Sequence, residues 1–174
     1  MSSERGFSLA ELLIVIAILG FMMGGLFTLQ RQGQLAYMVG AARVEVQQNG
    51  RIAIESMMTE IRSALAINAF PANCNTANGG TTITFNDQNS VATTYSLAGT
   101  NLNRTVGGVA TTVIGGVQTL RIWCLNTSNT LTATLSDIRT IRVQVTTRTE
   151  RGAAANSPGD QHAISEGRVR LRNI

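Results

Sequence analysis

Few residues of this 174-residue chain could do chemistry, and the most unusual of them is Glu11. It lies just inside an apolar run, because residues 12–27 carry no charge. A helix that starts at Phe7 and covers this run would be about 31 Å long, which matches the ~30 Å hydrocarbon core of a bilayer. A carboxylate beside such a span is costly and usually has a partner and a task. Glu11 is therefore the first candidate functional residue.

The other reactive side chains form no catalytic or metal-binding pattern. His162, the single histidine, lies in a loop rich in small residues without an evident Cys or Ser partner, and no paired-carboxylate or phosphate-loop motif is found. One His and two Cys leave little material for a metal site, and the turn at 86–90 has a single carboxylate, too few for calcium. We expect no catalytic residue, no metal, no cofactor and no enzymatic activity.

The amino terminus differs from an ordinary secretory signal. Such a signal has its small-residue cleavage site after the apolar stretch, whereas here residues 22–27 continue without that pattern and the small residue, Gly6, precedes the stretch. Arg5 in the short leader favours retention on the cytoplasmic side. The pattern predicts a single membrane-spanning helix.

Residues 5–13, RGFSLAELL, resemble the prepilin cleavage and methylation motif of type IV pilins and type II secretion pseudopilins. In that family a membrane peptidase cuts after the glycine and methylates the new terminal amine. The resemblance implies cleavage by prepilin peptidase between Gly6 and Phe7, N-methylation of Phe7, and an assembly role for Glu11. It also implies a single-pass inner-membrane protein with a periplasmic head, which is then incorporated into a pilus or pseudopilus.

The charge of Glu11 suits that role physically. After cleavage Phe7 would carry a positive amine, a second costly charge in a low-dielectric setting. Pairing of Glu11 with such an amine, its own or that of a neighbouring subunit, would act as a registry device, because a subunit without the pair leaves a buried charge unpaired.

The chain divides into four predicted segments. Residues 1–6 form the leader peptide, 7–27 the transmembrane and filament-core helix, 28–70 its amphipathic continuation, and 71–174 a β-rich globular head. Apolar residues recur every three to four positions in the continuation: Val39, Val46, Gly50, Ala53, Met57, Ile61 and Ala64. The predicted fold is α+β and pilin-like, with one long N-terminal helix, reaching about Ile67, packed on an antiparallel sheet.

Strand-like segments follow Pro71, rich in β-branched residues and separated by turn signals. They lie at 81–85, 93–97, 102–106, 117–125, 138–149 and 167–173. Residues 150–166 are predicted to be a surface loop that includes His162.

Cys74 and Cys124 lie in the part expected to reach the periplasm, where disulfides persist. A bridge between them would stabilise the fold by roughly 4 kcal/mol in the chain-entropy model. Because Cys124 belongs to an inward-facing set, two buried free thiols remain the alternative.

Several stretches of the body resemble PilW-type minor pilins, which are related to the J-type minor pseudopilin of type II secretion. They are residues 46–64, the hairpin at 93–108 and the ending VRLRN at 169–173. This resemblance implies a minor pilin that helps initiate or cap type IV pilus assembly, or alternatively a J-type pseudopilin. Its partners would be prepilin peptidase, other major and minor pilins or pseudopilins, and the inner-membrane assembly platform.

Nucleic-acid binding is a further alternative. All fourteen basic residues are arginines and the net charge is +4, which also fits an ordinary solvated surface. Residues 167–170, GRVR, resemble a carboxy-terminal pattern of DNA-binding minor pilins that serve natural transformation. Arg168, Arg170 and Arg172 would project from one strand face at ~7 Å intervals, close to the spacing of phosphates along a strand.

Overall fold

The structure is a computed structural model that describes residues 8–150 and 157–171. Gly6, Phe7 and Arg172, three of the predicted site residues, lie outside the described residues. Helix α1 spans Leu9–Ser63, so its 55 residues measure about 82 Å. No proline interrupts this stretch, and a single helix runs from the apolar segment into the head.

The end of α1 corrects one prediction. The helix was expected to reach about Ile67, within a helical segment 28–70, but Ala64 leaves the helical conformation at ψ 137° and residues Ala66–Ala69 form strand β1. The main-chain N–H of Leu65 donates to the Asn86 carbonyl at 3.0 Å, and β1 then pairs with the strand that contains Asn86. Pairing with a distant strand outweighs the weak helical preference of this short stretch.

The head contains two antiparallel sheets in the described part of the chain. The further strands are β2 Thr82–Asn86, β3 Ala92–Ala98, β4 Asn101–Val106, β5 Val109–Ile114, β6 Val117–Leu125, β7 Thr140–Arg148 and β8 His162–Arg170, with a 3₁₀ turn at Leu135–Asp137. Sheet A has the order β1-β2-β3-β4-β5 and sheet B the order β6-β7-β8. The predicted α+β architecture, one long helix on antiparallel sheets, is confirmed.

Strand β8 begins five residues earlier than predicted. His162 was assigned to a loop, yet it is the first residue of β8 and lies opposite Arg148. The inward positions of the added part are Ala163 and Ser165, and Gly167 follows them on the same face; all three are half-buried. Because these residues are small, the alternation of large apolar and polar side chains that indicates a strand is missing.

Small residues are needed there because α1 crosses sheet B at close range. A Cβ added to Gly167 would lie 2.6 Å from Ile54 Cγ2 and 3.0 Å from Met58 Cγ. On the helix side, a Cβ on Gly50 would lie 3.2 Å from Ser165 Cβ. Close packing of the helix and sheet B thus depends on a glycine on each surface.

We expect Gly167→Ala to lower the free energy of unfolding of the head by about 1–3 kcal/mol, because the added methyl overpacks the contact with α1. The matched control is Gly40→Ala, at a helix position where an added Cβ meets no described atom within 4 Å. That variant should be unchanged or up to about 1 kcal/mol more stable. Denaturant unfolding of the purified full chain measures both. Equal stability of wild type and Gly167→Ala would contradict the close-packing account.

Sheet A is joined to α1 by polar contacts. The Tyr95 hydroxyl lies 2.9 Å from Ser56 Oγ, and Arg104 Nε donates to both carboxylate oxygens of Glu60 at 2.9 Å. Tyr95 is fully buried, and burial raises the pKa of its hydroxyl to about 12. The second half of α1 is therefore held by both sheets.

A disulfide joins Cys74 to Cys124, with the two Cα atoms 5.2 Å apart. This confirms the predicted bridge over the free-thiol alternative. It ties the segment after β1 to β6, where the Cys124 N–H also donates to the Cys74 carbonyl at 3.0 Å. The bridge encloses a sequence separation of 50 residues.

We expect Cys124→Ser to destabilise the head by a few kcal/mol, because the unfolded chain regains the freedom of a loop of that size. Unfolding of non-reduced wild type, of the variant and of Cys74→Ser should show the same loss in both variants, since each removes the same bridge. Two readily alkylated thiols in protein from the periplasm would contradict the bridge.

Candidate assembly site

The amino-terminal site is built on the first turn of α1. Ser8 is the N-cap, and its Oγ accepts from the Ala10 N–H at 3.3 Å. Glu11 Oε2 accepts from the Ser8 N–H at 3.2 Å. The two side chains form a capping box, which satisfies main-chain donors that the first helical turn leaves unpaired. Glu11 therefore has a local partner in the isolated chain.

Ser8 is a residue of this site that the sequence analysis did not single out. The spacing Ser8-Leu9-Ala10-Glu11 is the S-x-x-E pattern of a capping box. The sequence therefore contains this signal, beside the apolar surroundings that indicate a charged partner for Glu11. The structure adds a second role for the carboxylate, which is to fix the start of the helix.

The apolar part of α1 projects away from the head. Among the described residues of α1, the first buried one is Ala42, so 33 residues lie before it (Leu9 to Ala41), about 50 Å of helix. The most apolar window is long enough to cross a membrane, and none of it is buried. Large side chains such as Ile14 and Phe21 are 60% and 84% exposed. So large an apolar surface needs lipid or another protein around it.

Two of the predicted arginines lie on the solvent face of sheet B. Arg168 and Arg170 are exposed on β8, and Arg168 lies directly opposite Arg142 on β7. Like charges placed opposite each other disfavour the sheet. Glu166 offsets part of this cost, because its carboxylate lies 3.3 Å from the Arg168 guanidinium.

Arg142, Arg168 and Arg170 form the basic face of sheet B. Of these, Arg142 was not predicted as a site residue. Its guanidinium lies over the Trp123 ring, 4.1 Å from the ring centroid, a favourable cation–π contact. Its Nε is buried and has no hydrogen-bond partner among the described residues. Only the register of β6, β7 and β8 brings Trp123, Arg142 and Arg168 into one row.

His162 has partners that the sequence did not indicate. Its Nε2 lies 3.3 Å from Asp160 Oδ1, and Arg148 holds both oxygens of the same carboxylate at 2.6 and 3.1 Å. The Asp160 side chain is only 5% exposed. This cluster fixes the end of β7 to the start of β8.

One family model matches the chain, that of the prokaryotic N-terminal methylation motif, over residues 1–27. The match includes Gly6, Phe7, the capping box and most of the exposed apolar helix. No protein with a curated description matches the chain. The matched motif is typical of one class of protein, precursors that are processed and methylated at the amino terminus.

Within that class, the matched motif supports placing the chain in the type IV pilin-like superfamily, as a pilin or a pseudopilin. It implies processing by prepilin peptidase and assembly with other pilins. Together with the exposed apolar helix, it supports anchoring in a membrane.

Proposed function

We propose that this protein is a minor pilin, a low-abundance structural subunit that helps initiate or cap type IV pilus assembly. The observation that carries the proposal is the matched methylation motif at the start of a helix whose apolar half is entirely exposed. The resemblance of residues 46–64 and of the β3–β4 hairpin to PilW-type minor pilins favours a minor over a major subunit. The protein acts through binding, without a catalytic residue, metal or cofactor of its own.

In this proposal the chain starts as a single-pass inner-membrane protein with its head in the periplasm. The Cys74–Cys124 bridge fits that compartment. Prepilin peptidase removes residues 1–6 and methylates Phe7. The exposed apolar helix then leaves the lipid and packs among the helices of other pilins on the assembly platform, which covers the same side chains.

Glu11 controls that transfer through an exchange of partners. In the isolated chain its carboxylate accepts from the Ser8 N–H. The amine that cleavage frees on Phe7 lies one residue before Ser8 in the sequence, so a Phe7 amine, its own or a neighbour's, competes for the same oxygens. A charged amine is the stronger partner in low dielectric. Pairing with a neighbour's amine therefore favours the assembled state, whereas pairing with its own does not depend on assembly.

Filament composition tests the proposal. Quantitative mass spectrometry of sheared pili should find this chain at a small fraction of the major pilin. Deletion of its gene should reduce the number of pili per cell, because fewer assemblies start. A ratio near one to one with the major subunit, or an unchanged number of pili, would contradict an initiating or capping role.

A J-type pseudopilin of type II secretion is the closest alternative. It predicts that deletion abolishes secretion of folded proteins from the periplasm and leaves the number of pili unchanged. The two readouts taken on one deletion strain separate the candidates.

The basic face of sheet B favours one further candidate, a minor pilin that binds DNA. Arg142 lies directly opposite Arg168, so a phosphate bound between the two guanidinium groups would offset their like-charge cost. Arg168→Gln with Arg170→Gln should weaken binding of the detergent-solubilised full chain to duplex DNA and reduce its salt dependence. Arg43→Gln, an exposed arginine on α1, is the control. Equal binding by both variants would reject this candidate.

A further inference from the structure

The outer edge of β5 is the least protected strand edge of the described head. Strand β5 is last in the order of sheet A, and no described strand pairs with its outer side. Residues 109–112 are all exposed, with Val109 at 68%. The segment VATTVI has no charge and no proline, and glycine pairs flank it on both sides. Such a strand is an open template for another extended chain.

The other edges carry the protection that edge strands usually have. Strand β1 has four residues, contains an irregularity between Ile67 and Ala69, and is followed by Pro71. Strand β8 has charged side chains along its exposed face, including Glu166 and Arg168. The free side of β6 is partly covered by bridges from Gly80 and Leu131. Charge and proline both discourage pairing, and β5 has neither along its exposed part.

The main-chain groups available on β5 follow from its hairpin. Val106 and Val109 lie opposite each other across the two-residue turn Gly107–Gly108, in which both glycines have positive φ. Such a pair closes the turn by bonding to each other, and hydrogen-bonded pairs then alternate along the ladder. Thr111 therefore bonds toward β4, while the N–H and C=O groups of Ala110 and Thr112 point outward. Two main-chain donors and two acceptors are therefore available to a partner strand.

Space for that partner exists at the amino-terminal end of β5. A Cβ added to Gly108 would meet no described atom within 4 Å. At the other end a register irregularity separates Thr112 from Ile114, and Ile114 is buried. A β-bulge of this kind ends regular pairing, so the open edge is the stretch 109–112.

We propose that this edge binds an extended, uncharged strand from the head of a different pilin-like subunit, which would continue sheet A as a sixth strand. Strand addition uses main-chain hydrogen bonds for affinity, and only an extended chain matches donors and acceptors spaced two residues apart. The absence of charge on β5 selects an uncharged partner strand. This inference rests on the proposed assembly function, since it names how the head contacts a neighbour.

Site-specific photo-cross-linking in the full chain tests the inference directly. A benzophenone amino acid at Ala110 should cross-link, in cells that make filaments, to a strand segment of another subunit that has its own methylation motif. The same amino acid at Ala69, which is exposed on the opposite edge of the same sheet, is the matched control and should give no such product. Peptide mass spectrometry identifies the cross-linked segment.

A backbone variant gives the second readout. Ala110→Pro removes an outward N–H and leaves the bonds toward β4 in place, because proline is tolerated on the solvent side of an edge strand. The partner strand loses this hydrogen bond and meets the proline ring. Recovery of the variant in sheared filaments should therefore fall by about tenfold or more. Ala110→Thr keeps the N–H and should be recovered like wild type, and the thermal midpoints of both variants should match wild type.

The outcomes distinguish this inference from the proposed function. If wild type and Ala110→Pro enter filaments equally, or if Ala110 gives no cross-link, the edge is not an interface and the assembly function stands. A cross-link only to a second copy of this chain also overturns the inference. If wild type is absent from filaments, the proposed function fails. A cross-link from Ala110 to another pilin-like subunit in the membrane would then still show that the edge of β5 is an interface.

Discussion

Gly6→Val should leave the full-length precursor in the membrane, unprocessed and absent from filaments. The proposed cut follows this glycine, within the residues that match the methylation motif, and valine adds a branched side chain beside the peptide bond to be cleaved. Without the cut no amine is freed on Phe7, so no methylation follows and Glu11 gains no charged partner. Intact-mass measurement of membrane and filament fractions reads processing and methylation together.

The control for this variant is Gly33→Val, at a helix position beyond the matched motif where an added Cβ meets no described atom within 4 Å. It should be processed like wild type. If Gly6→Val is cleaved and methylated normally, the assignment of the processing site is wrong.

Glu11→Ala should be made, inserted and cut nearly normally, but should enter filaments at least a hundredfold less often. Alanine keeps the helix and makes insertion easier by removing a charge. The loss falls on assembly, because a Phe7 amine is then left unpaired, at a cost of about 3–5 kcal/mol for a broken buried pair. Since about 1.4 kcal/mol is tenfold, this corresponds to two or more powers of ten. The ratio of chain in sheared filaments to chain in the membrane measures it.

Two further variants separate the charge of Glu11 from its role in the capping box. Glu11→Gln keeps an acceptor for the Ser8 N–H, as glutamine also serves in capping boxes, but it has no charge. Ser8→Ala keeps the charge and removes the cap, at a cost of about 1 kcal/mol to the helix start. We expect Glu11→Gln to be lost from filaments almost like Glu11→Ala, and Ser8→Ala to be recovered far better than either.

The opposite order would contradict the charge-pair account. If Glu11→Gln enters filaments like wild type while Ser8→Ala does not, Glu11 serves to cap the helix and no exchange with an amine is needed. The comparison is direct because all three variants differ only within the first turn.

The sequence predicted those elements whose pattern is strong and local. Strand β6 was expected at 117–125 and has these bounds, because large apolar side chains alternate with polar ones along much of its length. Strand β5 was missed, since its glycine pairs look like turns and its exposed residues show no alternation. Strand β1 was missed because it depends on pairing with β2, and the first half of β8 because its inward residues are small and its pairing with β7 defines it. Tertiary pairing, rather than local preference, decides such segments.

The same distinction holds for the candidate site. Glu11 could be found because a charge beside an apolar run is conspicuous in sequence. Its bond to Ser8 could have been inferred from the S-x-x-E spacing. The row formed by Trp123, Arg142 and Arg168 could not, because it depends on the register between three strands separated by up to 45 residues.

The amino-terminal peptide of the chain recovered from sheared filaments tests the central claim most directly. The account predicts a peptide that starts at Phe7 with a methylated amine, found in filaments together with other pilins. A chain in filaments that retains residues 1–6, or a mature protein that begins beyond Phe27 and is absent from filaments, would contradict it.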